Sequence, residues 1–218
     1  MSFRAVIFDW RGTLVTTLSL SDWVRHALRV ARRDGGDEHV RAVVAALRSV
    51  PGINDRLDCP GNDADTGFHR GTYFDIFADA GLDDELAHSL YEVESDPAYN
   101  RFAQDTHATL RELHQRGIGI AVASDIHFDI RPAFETAGLS GLVDVFTLSF
   151  EQGVQKPDPL MFTRTLAALG CEPAHTVMVG DRPRPDGAAV EHGITTLLLP
   201  SLRDEQDQRL HHVLAVAR

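Results

Sequence analysis

Four short stretches of this chain end in residues able to handle an anion or a metal ion. The first is Phe3 to Leu14, FRAVIFDWRGTL: an apolar run, Ala5 to Phe8, leads into Asp9, and Arg11, Gly12 and Thr13 follow. The others are Ser124-Asp125 behind the run Ile118 to Ala123, the pair Lys156-Pro157, and Gly180-Asp181 with Asp186 shortly after. A carboxylate at a strand tip serves as a nucleophile or as a metal ligand. Thr13 offers an anion a hydroxyl and a backbone N–H. Phosphoryl transfer needs an in-line nucleophile and neutralisation of the equatorial oxygens. Asp9 supplies the first. Ser124 and Lys156 can grip the oxygens, and Asp9 and Asp181 offer two carboxylates to a Mg²⁺ ion, which prefers oxygen ligands. Asp186 can orient Lys156 or a metal-bound water. Singly, each has a plainer reading: Ser124 as a turn residue, Lys156 as a solvated loop lysine, Asp186 as a helix cap. Lys156 is the only lysine in the sequence, so any lysine chemistry runs through it.

These residues need elements that bring them together. Short, continuously apolar runs closed by glycine-containing turns read as buried strands of a parallel sheet. The sequence predicts strands over 5–8, 118–123, 143–149, 176–179 and 195–199. Helices are expected between them at 105–116, 128–137, 159–169, from Asp186 to His192, and at 204–217. Strands alternating with helices predict an α/β, Rossmann-like parallel sheet covered on both faces, whose strand tips converge on one edge. Residues 16–96 break the alternation. Helix spacing recurs there over 20–33, 38–50, 66–80 and 83–94, with a polar loop over 52–66 and no strand. The expected organisation is a core of residues 1–15 and 97–218 with a helical cap domain, 16–96, inserted after the first strand.

Composition narrows the class. The chain has 218 residues, 21 Lys and Arg against 32 Asp and Glu, and a net charge of −11. That balance argues against a nucleic-acid surface. Cys59 and Cys171 are too few and too far apart for a disulfide framework or zinc cluster, and they suit a reducing compartment. No apolar run approaches a membrane span, and the N-terminus lacks signal-peptide features. The expectation is a cytoplasmic protein with a small-molecule partner.

Taken together, the four motifs resemble those of the haloacid dehalogenase-like (HAD) hydrolase superfamily. Its D-x-D-G-T opening resembles Asp9-Trp10-Arg11-Gly12-Thr13. Its Ser/Thr after the second strand matches Ser124, its lysine-proline pair Lys156-Pro157, and its G-D with a later aspartate Gly180-Asp181 and Asp186. The resemblance implies Asp9 as nucleophile, an aspartyl-phosphate intermediate, Mg²⁺ at Asp9 and Asp181, a further metal contact from the backbone carbonyl of Arg11, and a cap that closes over a small phosphorylated substrate.

One position departs from the pattern. Where the family's phosphatases carry a second aspartate, this chain has Arg11, which stays charged and cannot exchange protons at neutral pH. His127, His69 and Asp125 are the candidates to replace that acid/base. Asp125, beside Ser124, is also a candidate substrate-binding residue, and Arg182, Arg184 and the polar segment with Asp63, Asp65, His69 and Arg70 are candidates for substrate contacts. Phosphonoacetaldehyde hydrolases share a similar opening but need a cap lysine, and residues 16–96 contain none. The 2-haloacid dehalogenases also lack the aspartate and use no metal, but typically carry Ser and Asn at the fourth motif, so Asp181 favours a metal enzyme. Two alternatives stay open: a dehalogenase-like hydrolase, and a binding protein without turnover in which Arg11 clamps an anion.

Overall fold

A computed structural model describes residues 2–217. Its centre is a five-stranded parallel sheet: β1 (Ala5–Phe8), β2 (Gly119–Ser124), β3 (Val145–Leu148), β4 (Thr176–Gly180) and β5 (Thr195–Leu198). The spatial order is β3-β2-β1-β4-β5. β1 is therefore central, in register with β2 (Phe8 opposite Val122) and β4 (Phe8 opposite Val179). The chain runs outward from β1 to β2 and β3, then crosses to β4 and β5. That reversal places a crevice beyond the C-terminal ends of β1, β2 and β4, where such sheets bind ligands.

Side chains on a strand alternate between faces. On one face Val6, Phe8, Ile120, Val122, Val177 and Val179 pack with Leu110 and Leu113 of α6 (Thr106–Gln115), Phe134 of α7 (Arg131–Thr136) and Val213 of α10 (His211–Val216). On the other, Ile7, Ala121, Ala123 and Met178 meet Phe162 and Leu166 of α9 (Pro159–Leu169). The central strands β1, β2 and β4 are buried on both faces, which is why they read as largely apolar runs, whereas the edge strand β5 is partly exposed.

The helical block holds α1 (Leu20–Val30), α2 (Asp37–Arg48), α3 (Ile53–Leu57), α4 (Thr66–Asp79) and α5 (Asp84–Glu94). Ser19, Asp65 and Asp83 cap α1, α4 and α5 by accepting backbone N–H bonds. A separate apolar cluster, with Val24, Leu28, Leu47, Phe77 and Leu90 at its heart, draws only on residues 18–99.

Several boundaries differ from the sequence reading. The stretch 52–66 is not all loop: Gly52, at φ 65°, opens α3, and a 3₁₀ turn spans Asn62–Ala64. Asp186 to His192 forms a 3₁₀ turn over Gly187–His192 rather than an α-helix. The closing helix is only His211–Val216. Asp204 turns the chain ahead of it by accepting the N–H of Gln206 on its side chain and that of Asp207 on its carbonyl, a local bond that competes with helix. The helix expected at 128–137 begins at Arg131, and β3 stops at Leu148 because Ser149 opens the short α8 (Ser149–Gln152). Among the described residues no helix is long and apolar enough to cross a membrane.

Candidate active site

Asp9 follows β1 directly and is 2% exposed; its N–H donates to Val179 O at 2.8 Å, so the sheet fixes its position. The chain then doubles back. The N–H groups of Thr13, Leu14 and Val15 all converge on Trp10 O. Gly12 sits at φ 79°, and a Cβ there would collide with the Asp181 carboxylate and the Ser201 hydroxyl. Arg209 clasps the loop from below, donating to Thr13 O at 2.7 Å and also to Pro200 O. No sequence signal pointed to Arg209, which lies 196 residues beyond Thr13.

Lys156 is the hub. Its ammonium is fully buried and donates to Asp9 Oδ1 at 2.7 Å and to Asp186 Oδ1 at 2.6 Å. Its backbone N–H is held by Asp125 Oδ1 at 2.7 Å, and Asp125 Oδ2 accepts from Arg182 Nη2 at 3.1 Å. Asp125 thus holds the lysine segment in place, with each of its oxygens accepting from a protein donor. Asp186 Oδ2 accepts the N–H groups of Asp181 and Arg182, wrapping the Gly180 turn around a buried carboxylate. A Cβ on Gly180 would strike that carboxylate.

Thr13 Oγ1 lies 3.3 Å from Asp9 Oδ2, and Ser124 is buried at the tip of β2. The carboxylates of Asp9, Asp181 and Asp186 each bring an oxygen within 4.8 Å of the others. Asp181 Oδ1 is buried with no protein partner among the described residues. A buried oxygen of that kind is satisfied by a hard cation, so the cluster fits a divalent ion with oxygen ligands. Asp9 and Asp181 are the freer ligands. Asp186 is committed to Lys156 and two backbone donors.

The electrostatics follow from burial. Desolvation pushes Asp9 up to about 7, with Lys156 pulling down and Asp186 pushing up. Burial also opposes the Lys156 charge, but Asp186 and Asp9 outweigh it and raise its pKa. Asp186, despite its own burial, is held below the usual carboxylate range by Lys156.

Arg11 does not turn toward Asp9. Its guanidinium pairs with the Glu94 carboxylate, and its Nη2 donates to Glu94 O at 2.8 Å, at the C-terminus of α5, where a cation is favoured. Its carbon also lies 5.5 Å from the centre of the Phe128 ring. The polar segment of the helical block divides. Asp65 caps α4 and Arg70 stacks 4.3 Å over Phe74, whereas Asp63 and His69 turn toward His127. Arg182 is spent partly on Asp125 and Arg184 is exposed.

Residues 3–192 match the haloacid dehalogenase-like hydrolase family, and the chain belongs to it. That family is one of hydrolases, and phosphatases are among the relatives of this chain. A ribulose-1,5-bisphosphate 5-phosphatase of Halopiger xanaduensis is 38% identical over 96 residues, 43% of this chain and 40% of that protein. The match thus spans less than half the length of that relative. Among solved structures, a HAD phosphatase from Thermococcus onnurineus superposes with a TM-score of 0.64 at 23% identity, covering 98% of this chain and 97% of that one. The L-2-haloacid dehalogenase RSc1362 gives 0.68 at 18% identity, covering 100% and 99%. At such identities these likenesses define the fold shared by both chemistries.

Proposed function

We propose that this protein is a Mg²⁺-dependent phosphatase acting on a small phosphate monoester through a phosphorylated Asp9, with residues 16–96 as the cap over its site. The observation that carries this reading is the buried row Asp9–Lys156–Asp186 beside the partnerless Asp181 oxygen. A row of this kind aligns an anionic nucleophile and keeps positive charge against it.

In the first step Asp9 attacks phosphorus and the P–O bond to the leaving alcohol breaks, the oxygen departing with the bonding pair as an anion that solvent then protonates. In the second, water attacks the phosphorus of the phosphoenzyme and returns Asp9 and inorganic phosphate. Lys156 holds Asp9 Oδ1, leaving Oδ2 the less constrained oxygen, with only the Thr13 hydroxyl at 3.3 Å. In this reading Lys156 and Ser124 serve the transferring phosphoryl oxygens. Asp186 and Asp125 hold Lys156 from its two ends. A bound Mg²⁺ at Asp9 and Asp181 supplies charge neutralisation of the phosphoryl group. Arg11 cannot protonate the leaving oxygen, and its pairing with Glu94 keeps it from clamping a free anion. Esters whose alcohols leave without a proton are therefore the favoured substrates.

The experiment is phosphate release from a panel of phosphorylated metabolites and an activated aryl phosphate, with Mg²⁺ and with chelator. Metal-dependent release supports the reading. Absence of release from every ester, with chloride released from 2-haloacids, would replace it with the dehalogenase reading. Absence of both would leave a ligand-binding protein without turnover.

A further inference from the structure

Breakdown of a phosphorylated Asp9 calls for a base. Asp9 reaches phosphorus from the sheet, so the in-line water must enter from the opposite side, which on the phosphatase reading the helical block covers. Arg11, next to that space, cannot accept the water's proton.

Asp63 stands on that side. It lies in the 3₁₀ turn Asn62–Ala64, and the sheet domain holds its backbone at both ends. Its N–H donates to Gln155 Oε1 at 3.0 Å, one residue before Lys156, and its carbonyl accepts from Ser149 Oγ at 2.7 Å. Ser149 Oγ also accepts the N–H of Ile126, two residues beyond Ser124, at 2.7 Å. Thr66 Oγ1 donates to His127 O at 3.0 Å. The turn is thus fastened to the two loops that carry Ser124 and Lys156. The Asp63 carboxylate feels the charges of Asp125, Arg11, Arg182 and Glu94. The first three follow β2, β1 and β4, so the carboxylate lies among the strand tips that hold the site. It makes no hydrogen bond among the described residues, since His69 Nε2, at 3.7 Å, is too far. The side chain is 26% exposed, which leaves its oxygens to water.

The other titratable groups around it are occupied or unsuited. Asp125 spends its two oxygens on the Lys156 N–H and on Arg182. Glu94 pairs with Arg11, and burial keeps the Tyr73 hydroxyl protonated. His69 and His127 stack on each other with centroids 3.4 Å apart. Burial, with Arg11 nearby, lowers His69 to about 3, and burial with His69 and Arg11 lowers His127 to about 2, so neither ring retains a proton taken from water. Burial and Asp125 raise Asp63 to about 6 against the pull of Arg11 and Arg182, close to the pH at which a general base works best.

We propose that Asp63 is the general base of the second step. One of its carboxylate oxygens accepts a proton from the attacking water as the water oxygen bonds to phosphorus. The bond from phosphorus to Asp9 breaks, its electron pair returns to the Asp9 carboxylate, and Asp63 passes the proton to solvent. The assignment rests on the phosphatase reading and deepens it. Ionised at neutral pH, Asp63 brings no proton to the first step, so esters whose alcohols leave unprotonated stay favoured.

The test separates the two steps in the intact protein with Mg²⁺ and p-nitrophenyl phosphate. Asp63→Asn leaves both backbone bonds in place and removes the base. It should release p-nitrophenol in a rapid burst stoichiometric with the chain, which also shows that the variant is folded. Steady turnover should then be roughly 10²- to 10⁴-fold slower than in the wild type. Acid quench during the slow phase should trap phosphate on Asp9. Phosphoenzyme breakdown in the wild type should slow as falling pH protonates Asp63, and Asp63→Asn should lack this acid limb, which a merely structural role would not remove. Steady turnover at the wild-type rate in Asp63→Asn overturns the proposal while the phosphatase reading stands. An equal slowing of both phases, or an acid limb that persists in the variant, overturns it as well. Absence of p-nitrophenol release and of phosphoenzyme in the wild type overturns the phosphatase reading, and the proposal with it.

Discussion

Replacing Asp9 with asparagine should stabilise the metal-free chain while abolishing turnover. The reason lies in the environment of Asp9: burial raises its pKa from 3.8 to about 7 even with Lys156 alongside. A carboxyl whose folded pKa is raised binds its proton more tightly folded than unfolded. Its penalty is absent below about pH 4, grows between about 4 and 7, and is complete above about 7. Each pKa unit is worth about 1.4 kcal/mol, so the full penalty is about 4 kcal/mol, and about 2 kcal/mol at pH 5. The amide of Asp9→Asn would keep the shape and the acceptor for Lys156 without the buried charge. The expected result is a variant equal to wild type near pH 4, more stable by about 2 kcal/mol at pH 5 and by up to about 4 kcal/mol at pH 7 and above. Urea denaturation of both proteins in EDTA across pH 4–8 measures this. An Asp9→Asn variant less stable than wild type at pH 8, or a gap that does not widen with pH, would refute the reasoning.

The buried cation should matter in the opposite sense. Lys156→Met leaves Asp9 and Asp186 without their partner and should destabilise by about 3–5 kcal/mol at pH 8, less at pH 5 where the stranded carboxyls protonate; equal losses at both pH values would count against this account. Arg11→Asp alone places a carboxylate against Glu94 and should give little gain in turnover. The double change Arg11→Asp with Glu94→Gln should raise the rate on unactivated phosphate esters, toward the roughly 10²–10⁴ that a general acid/base contributes, and an unchanged rate would show that Arg11 has a positive role. Gly12→Ala forces both a positive φ and a collision with Asp181, so thermal melting should show a lower midpoint and titration a weaker response to Mg²⁺. An unaltered melting curve would remove the argument from close approach.

The sheet was legible because its central strands β1, β2 and β4 are buried on both faces and so read as largely apolar runs, and because each ends at a turn residue. The helical block was legible by spacing. Short elements were harder: α3 and the 3₁₀ turns carry no amphipathic period, and Asp204 diverts the segment expected to be helical by a local side-chain bond. Asp9, Lys156 and Asp186 could be grouped because each follows a strand on the same edge. The partners that set their behaviour could not. Glu94 lies 83 residues from Arg11, and Arg209 sits 196 from Thr13. Asp125 also anchors the Lys156 backbone, a role that only the loop geometry reveals. His69 and His127 stood out in sequence as possible proton carriers, but their stacking on each other required the structure.

The central place of β1 has a consequence for how this chain is made. The strand bearing Asp9 is synthesised well before its two neighbours, which begin at Gly119 and Thr176. Until the second of them is synthesised, Ala5–Phe8 has no partner on one edge, while the helical residues 18–99 already hold contacts among themselves. Domains generally consolidate as units during synthesis, and non-local strand pairing is slow. The helical block is thus expected to protect its amides first and the β1–β4 ladder last, so that the Asp9–Lys156 contact is among the final events of folding. Pulse-labelling hydrogen exchange during refolding would detect this order, and early protection of Val6–Phe8 would contradict it.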